Sequence, residues 1–139
     1  MPAIQKSIRI QEANYKEITR MAEESGKDFS IITNELLEEA VKMKRCPGIV
    51  FADGVTGRRA RIAGTGIEVW EIISDYKGMN ESFDALREAY HWLSEVQLRA
   101  ALAYYKLYPD EINMRIERNE RLTPEAIAER HPFLKGQGV

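Results

Sequence analysis

Residues 3–10 have the sequence AIQKSIRI, in which apolar and polar side chains alternate, and two helical stretches follow at once. Ile4, Ile8 and Ile10 fall on one face of an extended chain, which predicts a short strand. A single strand leaves its hydrogen-bonding edges unpaired, so it needs a partner. The most economical partner is the same segment of a second copy, paired as an antiparallel ribbon and covered by four helices. The sequence therefore predicts a homodimer.

The two helices after this strand are marked by their ends. The first covers residues 12–25 and is expected to stop at Gly26. The second follows Asp28, a favourable N-cap, and its apolar residues recur at helical spacing to about residue 44. The segment KMKRCPG at 42–48 then marks a boundary, because a basic last turn is followed by proline and glycine.

The polar face of the predicted ribbon suits DNA. A two-stranded ribbon fits the major groove, where arginine pairs with guanine and glutamine with adenine. The start of the second helix offers backbone amides for a phosphate. The open alternative is a strand and helical hairpin used only for dimerisation. The candidate DNA-binding residues here are Gln5, Lys6, Ser7, Arg9, Lys27 and Ser30.

The strings KSIRI, MAEESGK and FSIITNELLEEAVK give residues 3–45 a resemblance to the ribbon-helix-helix repressors of the Arc, MetJ and CopG superfamily. The resemblance implies that Gln5, Ser7 and Arg9 read bases. Lys6 departs from many members, which carry an apolar or small residue there, and a phosphate contact would suit it.

A hairpin is predicted around Asp53-Gly54 and Thr56-Gly57. Three helical stretches follow, at about 69–77, at about 82–91 and from Ser94 until Pro109 interrupts the pattern. The hairpin carries three cations within four residues, which are suited either to a phosphate clamp or to a solvated surface. These candidates for DNA contact are Arg58, Arg59 and Arg61.

The segment 47–110 resembles a small prokaryotic family of domains of unknown function, number four-three-three, through a glycine-rich turn and a later LS…ALAY stretch. The matching positions are Gly57, Ile62, Gly64, Thr65, Ile67, Val69, Leu93, Ser94, Ala101, Leu102, Ala103 and Tyr104, whereas Gly66 stands where members often have arginine. The resemblance implies a compact three-helix, helix-turn-helix-like unit. It also implies an antitoxin of the VapB type, encoded beside a PIN-like ribonuclease toxin and repressing its own operon.

Carboxylates dominate the predicted helices at 69–91, so close contact of these helices with DNA would be repulsive. The acidic residues are Glu68, Glu71, Asp75, Glu81, Asp84 and Glu88. We therefore assign DNA contact to the ribbon and to the hairpin arginines.

The tail at 111–139 combines apolar residues with arginines and is too short to form its own core. It must dock on its own module, across the dimer or on a toxin, as an amphipathic helix in a groove. A last short helix is expected from Thr123-Pro124. Arginines inserted among the carboxylates of a PIN-like active site would block it. The candidate partner-binding residues are Ile112, Arg115, Ile116, Arg118, Arg121, Leu122, Arg130 and Phe133.

Composition argues against several other classes of function. The net charge is −2, and no apolar run approaches the length that crosses a bilayer. The only cysteine, Cys46, suits a reducing cytoplasm. His91 and His131 lie far apart without a cysteine cluster, so we expect no metal site, no cofactor and no enzymatic activity.

These observations predict a mainly helical fold with short β structure. The expected domains are a ribbon-helix-helix dimerisation module at 1–45, a hairpin plus three-helix module at 46–110, and a helical tail at 111–139. The expected function is that of an antitoxin that binds operator DNA as a dimer, or as a tetramer, and sequesters a PIN-like toxin. The alternatives are a repressor without a toxin and a dimerisation module that ignores DNA.

Overall fold

The computed structural model of the protein describes residues 3–54 and 57–121. Within these ranges the chain is mainly helical, with six helices and one two-stranded hairpin. It divides after Lys44 into an N-terminal unit and a C-terminal unit. None of the helices in the described ranges is both long and apolar enough to cross a membrane.

The N-terminal unit contains helix α1 (Glu12–Ser25) and most of helix α2 (Phe29–Arg45). Gly26 ends α1 in the left-handed conformation, at φ 70° and ψ 16°, which confirms the predicted stop. The backbone amide of Ile32 donates to the carbonyl of Asp28, so α2 begins after Asp28 as expected. The rings of Tyr15 and Phe29 pack between the two helices at 5.4 Å.

The strand predicted for residues 3–10 is not formed in the single chain, where these residues are neither helical nor paired as a strand. The physical reason is that a strand needs a neighbour for its amide and carbonyl groups. The described part of the chain has one sheet, and it contains only the two strands of the C-terminal unit. Pairing of residues 3–10 with a second copy therefore stays a prediction.

The C-terminal unit begins with the expected hairpin. Strands β1 (Ile49–Gly54) and β2 (Gly57–Ile62) are antiparallel, in register from the Ile49–Ile62 pair to the Gly54–Gly57 pair. Because side chains alternate along a strand, Ala60 and Ile62 are buried while Arg59 and Arg61 project from the other face.

Four helices follow: α3 (Val69–Gly78), α4 (Phe83–Ala89), α5 (Glu95–Leu107) and α6 (Pro109–Arg121). The predicted capping box of α5 is present, because Ser94 Oγ accepts from the Gln97 amide at 3.1 Å and Gln97 Oε1 accepts from the Ser94 amide at 2.8 Å. Pro109 occupies the first position of α6, where its missing N–H costs nothing.

Helix α3 lies at the centre of this unit and contacts α4, α5, α6 and β2. The largest fully buried side chains are Tyr104, Ile49, Ile62, Ile72, Ile73, Leu86, Leu98 and Val69. Ile112 of α6 is also buried in this core. Residues 109–121 therefore share the core of the C-terminal unit, while the helix predicted from Thr123 lies outside the described residues.

Candidate functional site

The N-terminal segment exposes both of its faces in the single chain. Ile4 and Ile8 are 90% and 68% exposed, and Ile10 is exposed as well. The predicted base-reading residues on the other face, Gln5, Ser7 and Arg9, and the neighbouring Lys6 are all exposed. These polar residues are therefore accessible to a ligand, and the neighbouring isoleucines are not buried in any core of the single chain.

Helices α1 and α2 also leave much apolar surface open. No residue of α1 is buried, and Ile32 is the one buried residue of α2. The exposed large apolar residues of the two helices are Tyr15, Met21, Ile31, Leu36, Leu37, Val41 and Met43. Two helices with this many exposed apolar side chains favour an interaction site.

The start of α2 is less basic than its sequence suggests. Lys27 Nζ lies 2.8 Å from Glu35 Oε1 and forms an ion pair with it. Ser30 is exposed, and its carbonyl accepts from the side-chain amide of Asn34. A phosphate binding here would compete with Glu35 for Lys27.

The hairpin arginines are held by neighbouring groups of the C-terminal unit. Arg58 donates to Asp53 Oδ1 at 3.2 Å and to the Phe51 carbonyl at 3.3 Å. Arg59 Nε lies 3.2 Å from Glu68 Oε1, with both side chains largely buried. These contacts occupy part of the hydrogen-bonding capacity of the two guanidinium groups.

Arg61 pairs through its backbone with Glu68 in an isolated β-bridge. Its Nε is buried without a hydrogen-bond partner among the described residues.

An arginine-lined pocket of about 240 Å³ lies between the hairpin, α3 and α6. The sequence predicts that the hairpin arginines contact DNA and that the α6 arginines contact a protein partner, whereas the structure places members of both sets in one cavity. The lining residues are Phe51, Arg58, Arg59, Ala60, Trp70, Glu111, Ile112, Met114, Arg115 and Arg118.

Arg115 is one of the four arginines that line this pocket. Its guanidinium carbon lies 5.6 Å from the centre of the Trp70 ring, in a cation–π arrangement. Its Nε and Nη1 atoms, like Trp70 Nε1, are buried without a hydrogen-bond partner among the described residues. Burial and the nearby charge of Arg59 lower the pKa of Arg115 from its ordinary value. The pocket therefore concentrates donors and positive charge.

The remaining tail candidates occupy different environments. Ile112 is 4% exposed and Ile116 packs partly against the core, so the C-terminal unit itself covers these two side chains. Arg118 and Arg121 are exposed, and Arg121 forms an ion pair with Glu117. Leu122, Arg130 and Phe133 lie outside the described residues.

Residues 3–54 and 57–121 contain no group of three or more histidine, cysteine or carboxylate side chains able to hold a metal ion. Cys46 is buried in the core. The hydroxyl of Tyr90 donates to Asp75, and burial together with this contact raises the pKa of Tyr90 above its ordinary value.

Sequence reasoning missed the contribution of Trp70 and Glu68 to this region. Glu68 belonged to the set of carboxylates predicted to repel DNA, yet its side chain is paired with Arg59. The signal that connects Trp70 to Arg115 is three-dimensional, because the two residues lie on α3 and α6, which meet only after folding.

Part of the C-terminal unit is similar to a known family. Residues 49–105 match the model of the family described as "Protein of unknown function (DUF433)". The match runs from β1 into α5, which supports the resemblance expected for this segment, and leaves α6 outside. No curated protein and no solved structure matches the chain.

Proposed function

We propose that this protein is a homodimeric DNA-binding regulator of the ribbon-helix-helix type, acting as an antitoxin that represses its own operon. The observation that carries the proposal is the exposed apolar surface of the N-terminal unit. A strand segment with exposed isoleucines precedes two helices with a single buried side chain.

A second copy is the partner that satisfies both parts of this unit. Pairing of residues 3–10 with the same residues of another chain supplies the missing backbone hydrogen bonds. The same pairing turns Ile4, Ile8 and Ile10 toward the helices of both chains. Burial of apolar surface provides the driving force for such an association.

The opposite face of the paired strands then presents Gln5, Ser7 and Arg9 from two chains. An arginine can donate two hydrogen bonds to the acceptors of guanine in the major groove. Two-fold symmetry of the protein predicts a palindromic operator. The net charge of −2 is no obstacle, because the basic residues needed are local.

Toxin binding is the second half of the proposal. On α6, the exposed Met114 lies one helical turn before the exposed Arg118. A side-chain pair of this kind suits an acidic partner groove, such as the carboxylate-lined site of a PIN-like ribonuclease. Deletion of residues 122–139 tests whether the rest of the tail also contacts the toxin. If the shortened protein binds a toxin co-expressed from the neighbouring gene as well as the full chain does, the contact is restricted to α6.

The decisive experiment is a gel-shift titration with the DNA upstream of the gene, comparing wild type with Arg9→Ala. Loss of a bidentate base contact should weaken binding by about tenfold or more. Arg20→Ala is the matched control, since it removes the same charge from an exposed position on α1. Equal binding by wild type and Arg9→Ala would contradict base reading by the ribbon.

Sedimentation separates DNA binding from dimerisation. Wild type should sediment as a dimer, and Ile8→Asn should shift it toward the monomer. A dimer that ignores the upstream DNA would support the dimerisation module instead, and a wild-type monomer would overturn the proposal.

A further inference from the structure

The arginine-lined pocket combines an apolar lining with a basic one. Phe51, Ala60, Trp70, Ile112 and Met114 supply the apolar part of its surface, while Arg58, Arg59, Arg115 and Arg118 supply the charge. Small-molecule sites typically have this composition, in which apolar walls hold the body of a ligand and a few polar groups fix its orientation.

Three buried donors in the pocket region have no acceptor among the described residues. They are Nε and Nη1 of Arg115 and Nε1 of Trp70. A buried donor without an acceptor costs free energy, and such groups in native proteins are normally satisfied. A ligand that supplies several acceptor oxygens at this position would satisfy them.

The charge of the pocket favours an anion after its ion pairs are counted. Asp53 accepts from Arg58, and Glu68 pairs with Arg59. The carboxylate of Glu111 also lines the pocket, and it accepts a hydrogen bond from Tyr104 at 2.5 Å. The hydrogen bond from Tyr104 leaves the charge of Glu111 in place, so four lining arginines are balanced by three carboxylates. One net positive charge therefore remains on the α6 side, where Arg115 and Arg118 accompany Glu111.

We propose that this pocket binds a small aromatic phosphate ester. Its ring packs against the apolar wall that includes Met114 and Trp70, and its phosphate accepts hydrogen bonds from Arg115 and Arg118. A phosphate suits two guanidinium groups because it offers several oxygens and about two negative charges.

The shape of the site distinguishes this ligand from duplex DNA. A cavity of about 240 Å³ has room for a small molecule but not for a DNA duplex. The inference does not rest on operator reading, because every residue it uses lies in the C-terminal unit and operator reading is assigned to the N-terminal unit. It shares Met114 and Arg118 with the proposed toxin contact, so a bound ligand and a toxin would compete for this face of α6.

Tryptophan fluorescence of the full chain provides the assay. The chain has two tryptophans, and Trp92 is exposed, so Trp92→Phe leaves Trp70 as the single reporter. Phenyl phosphate, inorganic phosphate and phenol are titrated in parallel. Phenyl phosphate should change the Trp70 emission and saturate, and each of the other two probes should bind at least about tenfold more weakly, because each lacks half of the contacts.

In the Trp92→Phe background, Arg115→Gln should weaken phenyl phosphate binding by about tenfold or more. The substitution removes a guanidinium group that can donate two hydrogen bonds to the phosphate. Arg121→Gln is the matched control on the same helix, because Arg121 does not line the pocket. Circular dichroism melting establishes that each variant is folded. If Arg115→Gln fails to fold, the exposed Arg118→Gln takes its place and should also weaken binding.

Three results would overturn the proposal. The first is no response of Trp70 to millimolar phenyl phosphate. The second is unchanged binding by folded Arg115→Gln or Arg118→Gln. The third is a response to a single-stranded oligonucleotide without one to phenyl phosphate, which would assign the arginines to nucleic acid. The upstream-DNA gel shift is scored separately, so failure of either hypothesis leaves the other measurable.

Discussion

The hydroxyl of Tyr104 donates a hydrogen bond to Glu111 Oε2, with 2.5 Å between the two oxygens. Tyr104 is fully buried on α5, and Glu111 lies in the first turn of α6. Burial of the phenol, together with the Glu111 carboxylate, raises the pKa of Tyr104 above its ordinary value of 10.0. This hydrogen bond joins the last two described helices through a group whose ionisation would break it.

Tyr104→Phe should lower the free energy of unfolding at neutral pH by about 1–2 kcal/mol, because a hydrogen bond to a charged acceptor is lost. The wild type should lose stability as pH rises above 10.0, since the unfolded chain releases the phenolic proton there while the folded chain retains it. The variant should lose less stability at alkaline pH than the wild type does. Part of its remaining loss should come from Tyr90, whose pKa is also raised in the folded chain.

Urea unfolding at neutral and alkaline pH measures both effects. Tyr105→Phe is the matched control, because its hydroxyl makes a 2.8 Å hydrogen bond to Asn113 in an exposed position. An identical alkaline slope in wild type and Tyr104→Phe would contradict the predicted linkage.

Leu98→Ala should destabilise the C-terminal unit by about 2–5 kcal/mol, since the truncation leaves a cavity beneath α5. Leu98 is 0% exposed, whereas Val96 two residues earlier is 78% exposed. Val96→Ala should therefore change stability by no more than about 0.5 kcal/mol. Denaturant titrations followed by circular dichroism compare the two, and similar losses would show that α5 is not packed as described.

Gly26→Ala should destabilise the end of α1 by about 1 kcal/mol, because Gly26 has φ 70° and a side chain disfavours that conformation. No neighbouring atom lies within 4 Å of a built Cβ, so the cost arises from the backbone and not from crowding. Gly26→Asn is the control, since asparagine tolerates this conformation better. The melting temperature should be highest for wild type, lower for Gly26→Asn and lowest for Gly26→Ala. Equal melting temperatures of wild type and Gly26→Ala would contradict a backbone cost at this position.

Operator binding should weaken steeply with salt. A dimer that makes about six phosphate contacts should give a slope near −5 in a plot of log affinity against log salt. Gel shifts or fluorescence anisotropy over a range of potassium chloride provide the measurement. A slope near zero would count against contact of the ribbon with the phosphate backbone.

Local signals in the sequence were sufficient to predict where several helices begin or end. The pairing of Ser94 with Gln97 predicts the start of α5, Pro109 predicts the break before α6, and Gly26 predicts the end of α1. Each signal acts within a few residues through a cap or a missing N–H, so it needs no knowledge of the rest of the fold.

Whether residues 3–10 form a strand could not be predicted from local signals in the same way. Alternation of apolar and polar residues predicts an extended segment, but a strand exists only when another strand pairs with it. The described chain contains no such neighbour for residues 3–10, because its one sheet is formed by β1 and β2. The prediction therefore depends on association, which only an experiment in solution measures.

The pocket was beyond sequence reasoning for a different reason. Arg59 and Arg115 belong to a hairpin and to a helix that are far apart along the chain, and each looked like part of a separate surface. Packing of α6 on α3 brings them to one cavity. Periodicity predicts which face of an element is apolar, but it does not specify which elements meet.

Five of the ten residues that line the pocket come from α6. Occupancy of the pocket and detachment of α6 are therefore mutually exclusive, and any bound molecule stabilises the attached state by mass action. Cleavage by a protease that requires a locally unfolded α6 would then slow as ligand concentration rises. The lifetime of α6 in the presence of a protease then reports the concentration of the ligand around the protein.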